Sequence, residues 1–569
     1  MKNIMKYNLI AILAIFIIQS CQKDEAIEEI VNTKEAISPN RIAWNFNSLV
    51  ALADDAGYAR MIELDNGDFV CVYGKGGSGA ELIRSTDKGE TWSSVVVVAR
   101  DEHHATSNGF TFMANSEIVQ LSDGNLIYSY NRRPAEPFSS ERKFAIAYKV
   151  SEDNGYTWGE EKVVYEASHI PHDGCWEPQI LQLKSGELQL YFANEFPYQS
   201  SADQEISMMR SMDNGTTWGS PEKIAYVPNS RDGMAVALEL ENGEILMSIE
   251  DPSHLNFKPA IIRSSNNWAN APVGKPSQDR EYALNHDLNN NAYQGAPYIC
   301  VLPSGNIALA YQGTDGSSNV DLGNSRMLVE VGDKEGRNFN NNSRPFKVPY
   351  ERAGLWNAIS VLDGKVWALT TSDVDLDNDH YDRKSRVWGI QGYEITNYKV
   401  PQGEIVIDGA TDTSNDNVAF FVGSKNESNA MFSLSQTNDK LFVSAVIKDE
   451  SIYASNGVIV GISTKNDNAE KPASGNYLFN IYSNGDYKAK EGFNGKWESK
   501  DINADALKVT KNSKGYIVEF SISWSKIGGK PVNTEQRIGF NVGLIETGYT
   551  EYLIHSNMDM PYTWGSIQL

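Results

Sequence analysis

The sequence predicts an all-β protein in two parts: a six-bladed β-propeller over residues 41–400, then a β-sandwich over 401–569. Three observations carry this expectation. A strand–glycine–strand phrase recurs six times, a turn motif follows the early repeats in register, and both periodicities stop after Val400. The repeats read MIELDNGDFVCVYG (61–74), EIVQLSDGNLIYSYN (117–131), PQILQLKSGELQLYFANE (178–195), AVALELENGEILMSIE (235–250), YICVLPSGNIALAYQG (298–313) and AISVLDGKVWALTT (358–371). Their pivot glycines are Gly67, Gly124, Gly186, Gly243, Gly305 and Gly364, spaced 57, 62, 57, 62 and 59 residues apart. Short apolar runs rich in β-branched and aromatic residues, hinged on Asn-Gly or Asp-Gly, are β-hairpins. About sixty residues per unit is room for one four-stranded propeller blade.

The chain opens with an address. Lys2 and Lys6 precede the ten-residue apolar run Leu9–Ile18, which is too short for a mature membrane span. It ends in Ile18-Gln19-Ser20-Cys21, which resembles the lipobox of bacterial lipoproteins and implies a signal peptide over 1–20 with lipidation at Cys21. The acidic stretch Gln22-Lys23-Asp24-Glu25-Ala26-Ile27-Glu28-Glu29 lies in a solvated tether over 21–40. Its position resembles the surface-export signal of some Gram-negative outer-membrane lipoproteins. The expectation is an exported protein held to the outer membrane only by its lipid.

The turn motif is Ser85-x-Asp87-x-Gly89-x-Thr91-Trp92, repeated at Ser151–Trp158 and Ser211–Trp218, with worn copies at Ser264–Trp268 and Gly332–Phe339. It matches the Asp box of sialidase-like propellers. Asp caps a tight turn, Gly supplies positive φ and Trp packs between blades, so the boxes specify fold rather than chemistry. After Val400, alternating strands such as LFVSAVIKD, YIVEFSISW and RIGFNVGLIE continue without the box. The opening Glu404-Ile-Val-Ile-Asp408-Gly409 and the closing Trp564-Gly-Ser-Ile-Gln-Leu569 resemble family 9 carbohydrate-binding modules. That resemblance implies a β-sandwich, in which Trp497, Trp524 and Trp564 would stack on sugar or fill the core.

Composition narrows the partners. With 74 acidic and 50 basic residues the net charge is −24, which disfavours a nucleic-acid backbone or an anionic lipid surface as partner. Four cysteines with no CxxC or Cys/His cluster give neither a disulfide scaffold nor a zinc site, and no cofactor or metal is expected.

Propeller geometry then selects the candidate site. Residues just before the first strand and just after the second strand of each blade share one face around a central pocket. Those positions hold Tyr58, Arg60, Trp176, Glu177, Arg231, Asp232, Trp356 and Asn357 on the entry side. Asn131, Arg132, Asn194, Glu195, Glu250, Asp251 and Gln312 stand on the exit side. Carboxylates, arginines and aromatic flats at one mouth fit an oligo- or polysaccharide. Glu177 and Glu250, on adjacent blades, are the candidate acid and nucleophile or base; spacing alone allows either order, or Glu195 in place of one of them.

The run Trp176-Glu177-Pro178-Gln179 … Asn194-Glu195 … Asp213–Trp218 … Arg231-Asp232-Gly233-Met234 … Ser248-Ile249-Glu250 resembles glycoside hydrolase family 93, the exo-α-1,5-L-arabinanases. The resemblance implies a retaining exo-hydrolase releasing arabinobiose, with Glu177 as acid/base and Glu250 as nucleophile. Tyr58, Arg60, Trp176, Asn194, Glu195, Arg231, Asp232, Gln312, Trp356 and Asn357 would then bind the substrate. Two rivals share the fold. An exo-sialidase would draw an arginine triad from Arg60, Arg231 and Arg326, although the nearest approach to its Phe/Tyr-Arg-Ile-Pro signature is Tyr58-Ala59-Arg60-Met61. A non-catalytic glycan-binding lipoprotein gains little from burying two acids.

Overall fold

The computed structural model describes residues 41–569 except 106–108, 253–255, 276, 286–290, 377–379, 396–398, 411–418, 424–427, 450, 466–468, 470, 532–536, 548, 553–557, 560 and 562–563. The expected signal peptide, Cys21 and the expected tether lie outside the described residues. The protein is all-β, a six-bladed propeller followed by a β-sandwich; among the described residues the only helical turns are short 3-10 segments.

Each repeat builds one antiparallel sheet. The inner strands of the six blades are Ala56–Glu63, Gly109–Gln120, Cys175–Gln182, Gly233–Glu239, Gln294–Val301 and Gly354–Leu362. Each touches the next, and the sixth touches the first, so the sheets close into a ring. All six pivot glycines turn with φ between 71° and 91°, a conformation any side chain would strain. The sixth blade is completed from the other end of the propeller: Arg41–Asp54 pairs antiparallel with His380–Ile395 as its outermost strand. Joining the first strand to the last leaves the ring with no unpaired seam. Blade two carries a fifth strand, Glu102–His104, in a hairpin with the start of its inner strand.

The Asp boxes close the turns after the third strands. In the first, Asp87 Oδ1 accepts from Thr91 N at 2.8 Å and Oδ2 from the Thr91 hydroxyl at 2.6 Å, while Ser85 Oγ accepts from Gly89 N at 2.7 Å. The Thr91 bonds hold the Asp87 carboxyl down at about 2. The same pattern recurs around Asp153 and Asp213. Trp218 packs edge-on against Tyr148 of blade two and Trp268 against Tyr191 of blade three, so box tryptophans tie neighbouring blades together. The worn box of blade four keeps the turn with Asn266 in place of Asp, its side chain accepting from Ser264 Oγ at 3.0 Å.

The sandwich faces a five-stranded sheet with one built on the strands from Gly457–Ser463 to Arg537–Glu546. Alternating residues such as Val443, Ala445, Val460, Phe479, Phe520 and Val542 fill its core. The final strand, Gly565–Gln568, returns to the junction with the propeller, where Val400 N donates to Gln568 O at 2.8 Å. Trp524 is a core residue, 2 % exposed, rather than a surface platform. Trp564 is also buried, with Trp497 stacked parallel to it at 6.1 Å.

Candidate active site

A ring of six β-bulges builds the site. The inner strand of every blade loses register over three residues, and each bulge holds one non-glycine residue in the left-handed region: Tyr58, Asn115, Glu177, Met234, Ala296 and Trp356. Five of them precede their pivot glycine by nine residues and Trp356 by eight. Such a conformation costs about 1–3 kcal/mol per residue and persists only when its surroundings enforce it. In blades one, four, five and six the enforcing contact is a latch from the preceding blade. Trp356 N donates to Gln312 Oε1 at 2.9 Å, Ala296 N to Glu250 Oε2 at 3.0 Å, and Tyr58 N to Thr371 Oγ1 at 3.3 Å.

Gln312, Glu250 and Thr371 occupy the same place in their blades, opposite the residue that opens the bulge. A neutral amide or hydroxyl makes this latch in blades five and six; blade four uses an ionisable carboxylate. In blade three the equivalent residue is Ala193, which has no acceptor, and Glu177 itself reaches across, accepting from Met234 N at 3.0 Å. Both glutamates therefore converge on the Gly233–Met234 segment. A Cβ on Gly233 would lie 2.9 Å from Gln204 Nε2 and 3.1 Å from Glu250 Oε1, so a side chain there would push both aside.

The electrostatics follow from this convergence. Burial, and then the Glu250 charge, push the Glu177 carboxyl well above its ordinary range, against the pull of the Met234 amide, Arg133 and Arg60. Burial raises Glu250 too, opposed by the Ala296 amide and Arg231. Two carboxyls of which one raises the other lose their protons as a pair rather than independently. Because the native value of Glu177 lies above its unfolded value, the stability tied to its protonated form is present at low pH and lost as pH rises through the raised value. Glu177→Gln should therefore raise Tm relative to wild type at about pH 9 and change it little at about pH 4, as read by thermal melts at both values.

Glu177 faces a cavity of about 410 Å3 lined also by Tyr58, Trp356, Phe112, Arg133, Lys75, Asp101 and Asn115. The Tyr58 and Trp356 rings stand 6.2 Å apart at 38° and form one wall. Asn115 Oδ1 makes no hydrogen bond to another described residue. Flat apolar rings beside scattered donors and acceptors suit a polyhydroxylated ligand.

Tyr58, Trp356 and Glu177 thus stand in the pocket, and Glu250 stands beside it. The other expected contacts do different work. Arg60 is buried beneath the pocket, stacked on Tyr58 at 4.0 Å and Tyr298 at 4.8 Å and paired with Glu117 at 3.4 Å. Burial pushes the Glu117 carboxyl up to about 7 despite Arg60. Glu195 is 2 % exposed and accepts from Trp176 Nε1 at 3.1 Å, Gly174 N and Arg231, so it pins Trp176 and Arg231 and is not available as an alternative catalytic acid.

Asp232 is fully buried on Arg280, with both oxygens at 2.7 Å, and does not reach a substrate. Asn194 is spent on Tyr165 and Ser207, and Gln312 on Trp356 N and the Tyr293 hydroxyl. Asn357 is 1 % exposed and donates to Gly354 O. Arg132 pairs outward with Glu161 and Glu102, whereas the next residue, Arg133, enters the pocket and lies 5.1 Å over the Trp176 ring. Strand alternation carries the signal for Arg133, since Tyr130 and Arg132 share the outward partner Glu161. Tyr293, also missed, receives a hydrogen bond from Gln312 Nε2 at 3.0 Å beside Glu250.

Six blades, three with full Asp-box turns and two with worn copies, closed into a ring around this mouth, define a sialidase-like BNR propeller. The chain belongs to the BNR repeat-like domain family, whose model matches residues 69–373, more than half of its length. Among solved structures, the Penicillium chrysogenum alpha-L-arabinanase complexed with arabinobiose aligns at 19% identity over 63% of this chain and 98% of that one, with a TM-score of 0.44. The alpha-L-arabinofuranosidase of Fusarium graminearum aligns at 15% identity over 62% and 97%, with a TM-score of 0.45. The Trypanosoma rangeli sialidase aligns at 10% identity over 92% and 91%, with a TM-score of 0.41. No curated protein matches the sequence.

Proposed function

We propose that the protein is a retaining exo-glycoside hydrolase acting on α-1,5-arabinan-type glycans and releasing arabinobiose or a similar short product. The observation that carries this reading is the convergence of Glu177 and Glu250 on Gly233–Met234, with both carboxyls raised by burial and Glu177 raised further by its neighbour. Glu177, the more easily protonated, donates a proton to the leaving oxygen. Glu250 attacks the anomeric carbon to form a glycosyl ester, and Glu177, now a carboxylate, takes a proton from the water that hydrolyses it. Tyr58 and Trp356 would stack on the sugar while Arg133, Lys75 and Asn115 meet its hydroxyls.

The resemblance of residues 174–250 to family 93 narrows the substrate to arabinan. A sialidase would converge several arginines on one carboxylate, but Arg60, Arg231 and Arg326 each hold a separate partner: Glu117, Glu195 and the Asp315 carbonyl. Incubation with debranched arabinan and, separately, with sialyllactose, followed by product chromatography and anomeric NMR, tests the reading. Short arabinose oligomers of retained configuration support it. Release of sialic acid, or binding without release from either glycan, overturns it.

Lipid anchoring belongs to the same reading, because a surface-held exo-hydrolase trims polymer outside the cell. Cys21→Ser should move the protein from the membrane fraction to the soluble fraction. Retention of the variant in membranes, with no acyl chain on the wild type by mass spectrometry, counts against it. The sandwich, with Trp497 half-buried at its surface, would hold the polymer near the propeller.

A further inference from the structure

We propose that Tyr293 is a positioning residue that donates its phenolic hydrogen to the Glu250 carboxylate and so keeps Glu250 the ionised member of the pair. The proposal rests on reading Glu177 and Glu250 as the reacting carboxyls, and it supplies what that reading lacks, a physical reason why the two are not interchangeable.

The hydrogen-bond directions fix the phenol. Trp356 N is a donor, so the atom of Gln312 that meets it at 2.9 Å is the amide oxygen. The other end of that amide is then NH2, and it donates to the Tyr293 oxygen at 3.0 Å. A hydroxyl that is accepting from Gln312 still has its own hydrogen to give. Burial and the neighbouring Glu250 charge raise the phenol far above neutrality, so that hydrogen stays on.

No hydrogen bond joins this hydroxyl to Glu250 in the structure, but Gly295 shows that the two flank one site. A Cβ on Gly295 would lie 2.3 Å from the Tyr293 oxygen and 2.8 Å from Glu250 Oε2, which places the two oxygens within about 5 Å of each other across the same glycine. Gly295 opens the bulge of blade five, as Gly57 and Ala114 open those of blades one and two, and both of these line the cavity. The groups facing Glu250 are Glu177 from blade three, Arg231 at the head of blade four, and Tyr293 with the Ala296 amide from blade five. Glu250 thus has a backbone donor, a guanidinium and a phenol in its surroundings. The Glu177 carboxylate accepts from the single amide of Met234. Arg133 and Arg60 also pull Glu177 down, so the phenol across Gly295 is the donor particular to Glu250.

The test is a titration of the free protein labelled with 13C at the glutamate carboxyls, with the Glu250 signal identified by its loss in E250Q. Removing a donor to the charged form raises the value at which it ionises. Tyr293→Phe, which keeps the ring and its contact with Phe257, should shift the Glu250 step upward by about one unit. Gly295→Ala, which displaces both oxygens, should shift it the same way. On arabinan oligosaccharides the acid limb of kcat/KM should move up with it, giving about a tenfold loss on that limb. An unmoved Glu250 step in both variants overturns the role of Tyr293, whatever the enzyme's substrate. A shifted step in a protein inactive on arabinan upholds that role and overturns the arabinanase reading.

Discussion

Glu250→Gln is expected to lower kcat on arabinan oligosaccharides by about 1,000-fold or more while leaving the propeller folded. The fold should survive because the latch in blade five is already a glutamine: Gln312 accepts the Trp356 amide with the geometry Glu250 uses for Ala296. What glutamine cannot do is attack an anomeric carbon. Glu177→Gln should cost about 100- to 10,000-fold on natural linkages, the range for a lost general acid, and less with an activated leaving group that needs no proton. Azide separates the roles. It should rescue the Glu177 variant through a glycosyl azide of retained configuration, and give the inverted azide from a Glu250 variant. Near wild-type turnover by either variant would show that the pair is structural. Equal circular dichroism spectra and melting curves at pH 4 keep the kinetic loss from being read as misfolding.

How much of this was visible beforehand depends on the range of the interaction. The pivot glycines are local signals, because one residue's φ decides each hairpin, and all six were identified from the sequence. The strand that closes blade six was not, since Arg41–Asp54 pairs with residues more than 300 positions away and shows no repeat of its own. The bulges left no common residue type: a Tyr, an Asn, a Glu, a Met, an Ala and a Trp adopt the same left-handed turn, and in four of them a side chain of the preceding blade latches the amide. Only their distance of eight or nine residues ahead of the pivot glycine marks them.

Taking every polar residue near a strand end as a pocket residue failed for a related reason. Strand ends in a propeller also need internal partners, and Asn194, Asp232 and Gln312 are used that way. Glu177 and Glu250 were found because a carboxylate at an apolar strand end stands out whether it serves packing or chemistry. It took the latch geometry to tell them from Glu195 and Asp232.

Arg280→Met should destabilise the protein by about 3–5 kcal/mol, a large share of the 5–15 kcal/mol typical of a domain. Arg280 lies on the outer strand of blade four, yet its guanidinium meets both oxygens of Asp232 at 2.7 Å and Asp251 Oδ2 at 2.8 Å. The three side chains are 3 %, 0 % and 2 % exposed, so water cannot take over from the missing cation. Burial already raises the Asp232 carboxyl in spite of Arg280. Without the arginine both carboxylates must either stay charged in an apolar setting or take up protons. The loss should therefore be largest at about pH 8 and shrink toward about pH 4, where protonation removes the buried charge. Urea unfolding midpoints at the two values measure this difference, and the addition of Asp232→Asn and Asp251→Asn should recover part of the stability at pH 8. Asp232 directly precedes Gly233–Met234 and Asp251 directly follows Glu250, so the same variant should also lower kcat by loosening the ground on which the two glutamates meet. An unfolding free energy within about 1 kcal/mol of wild type at both pH values would mean that this buried triad holds neither the blade nor the site.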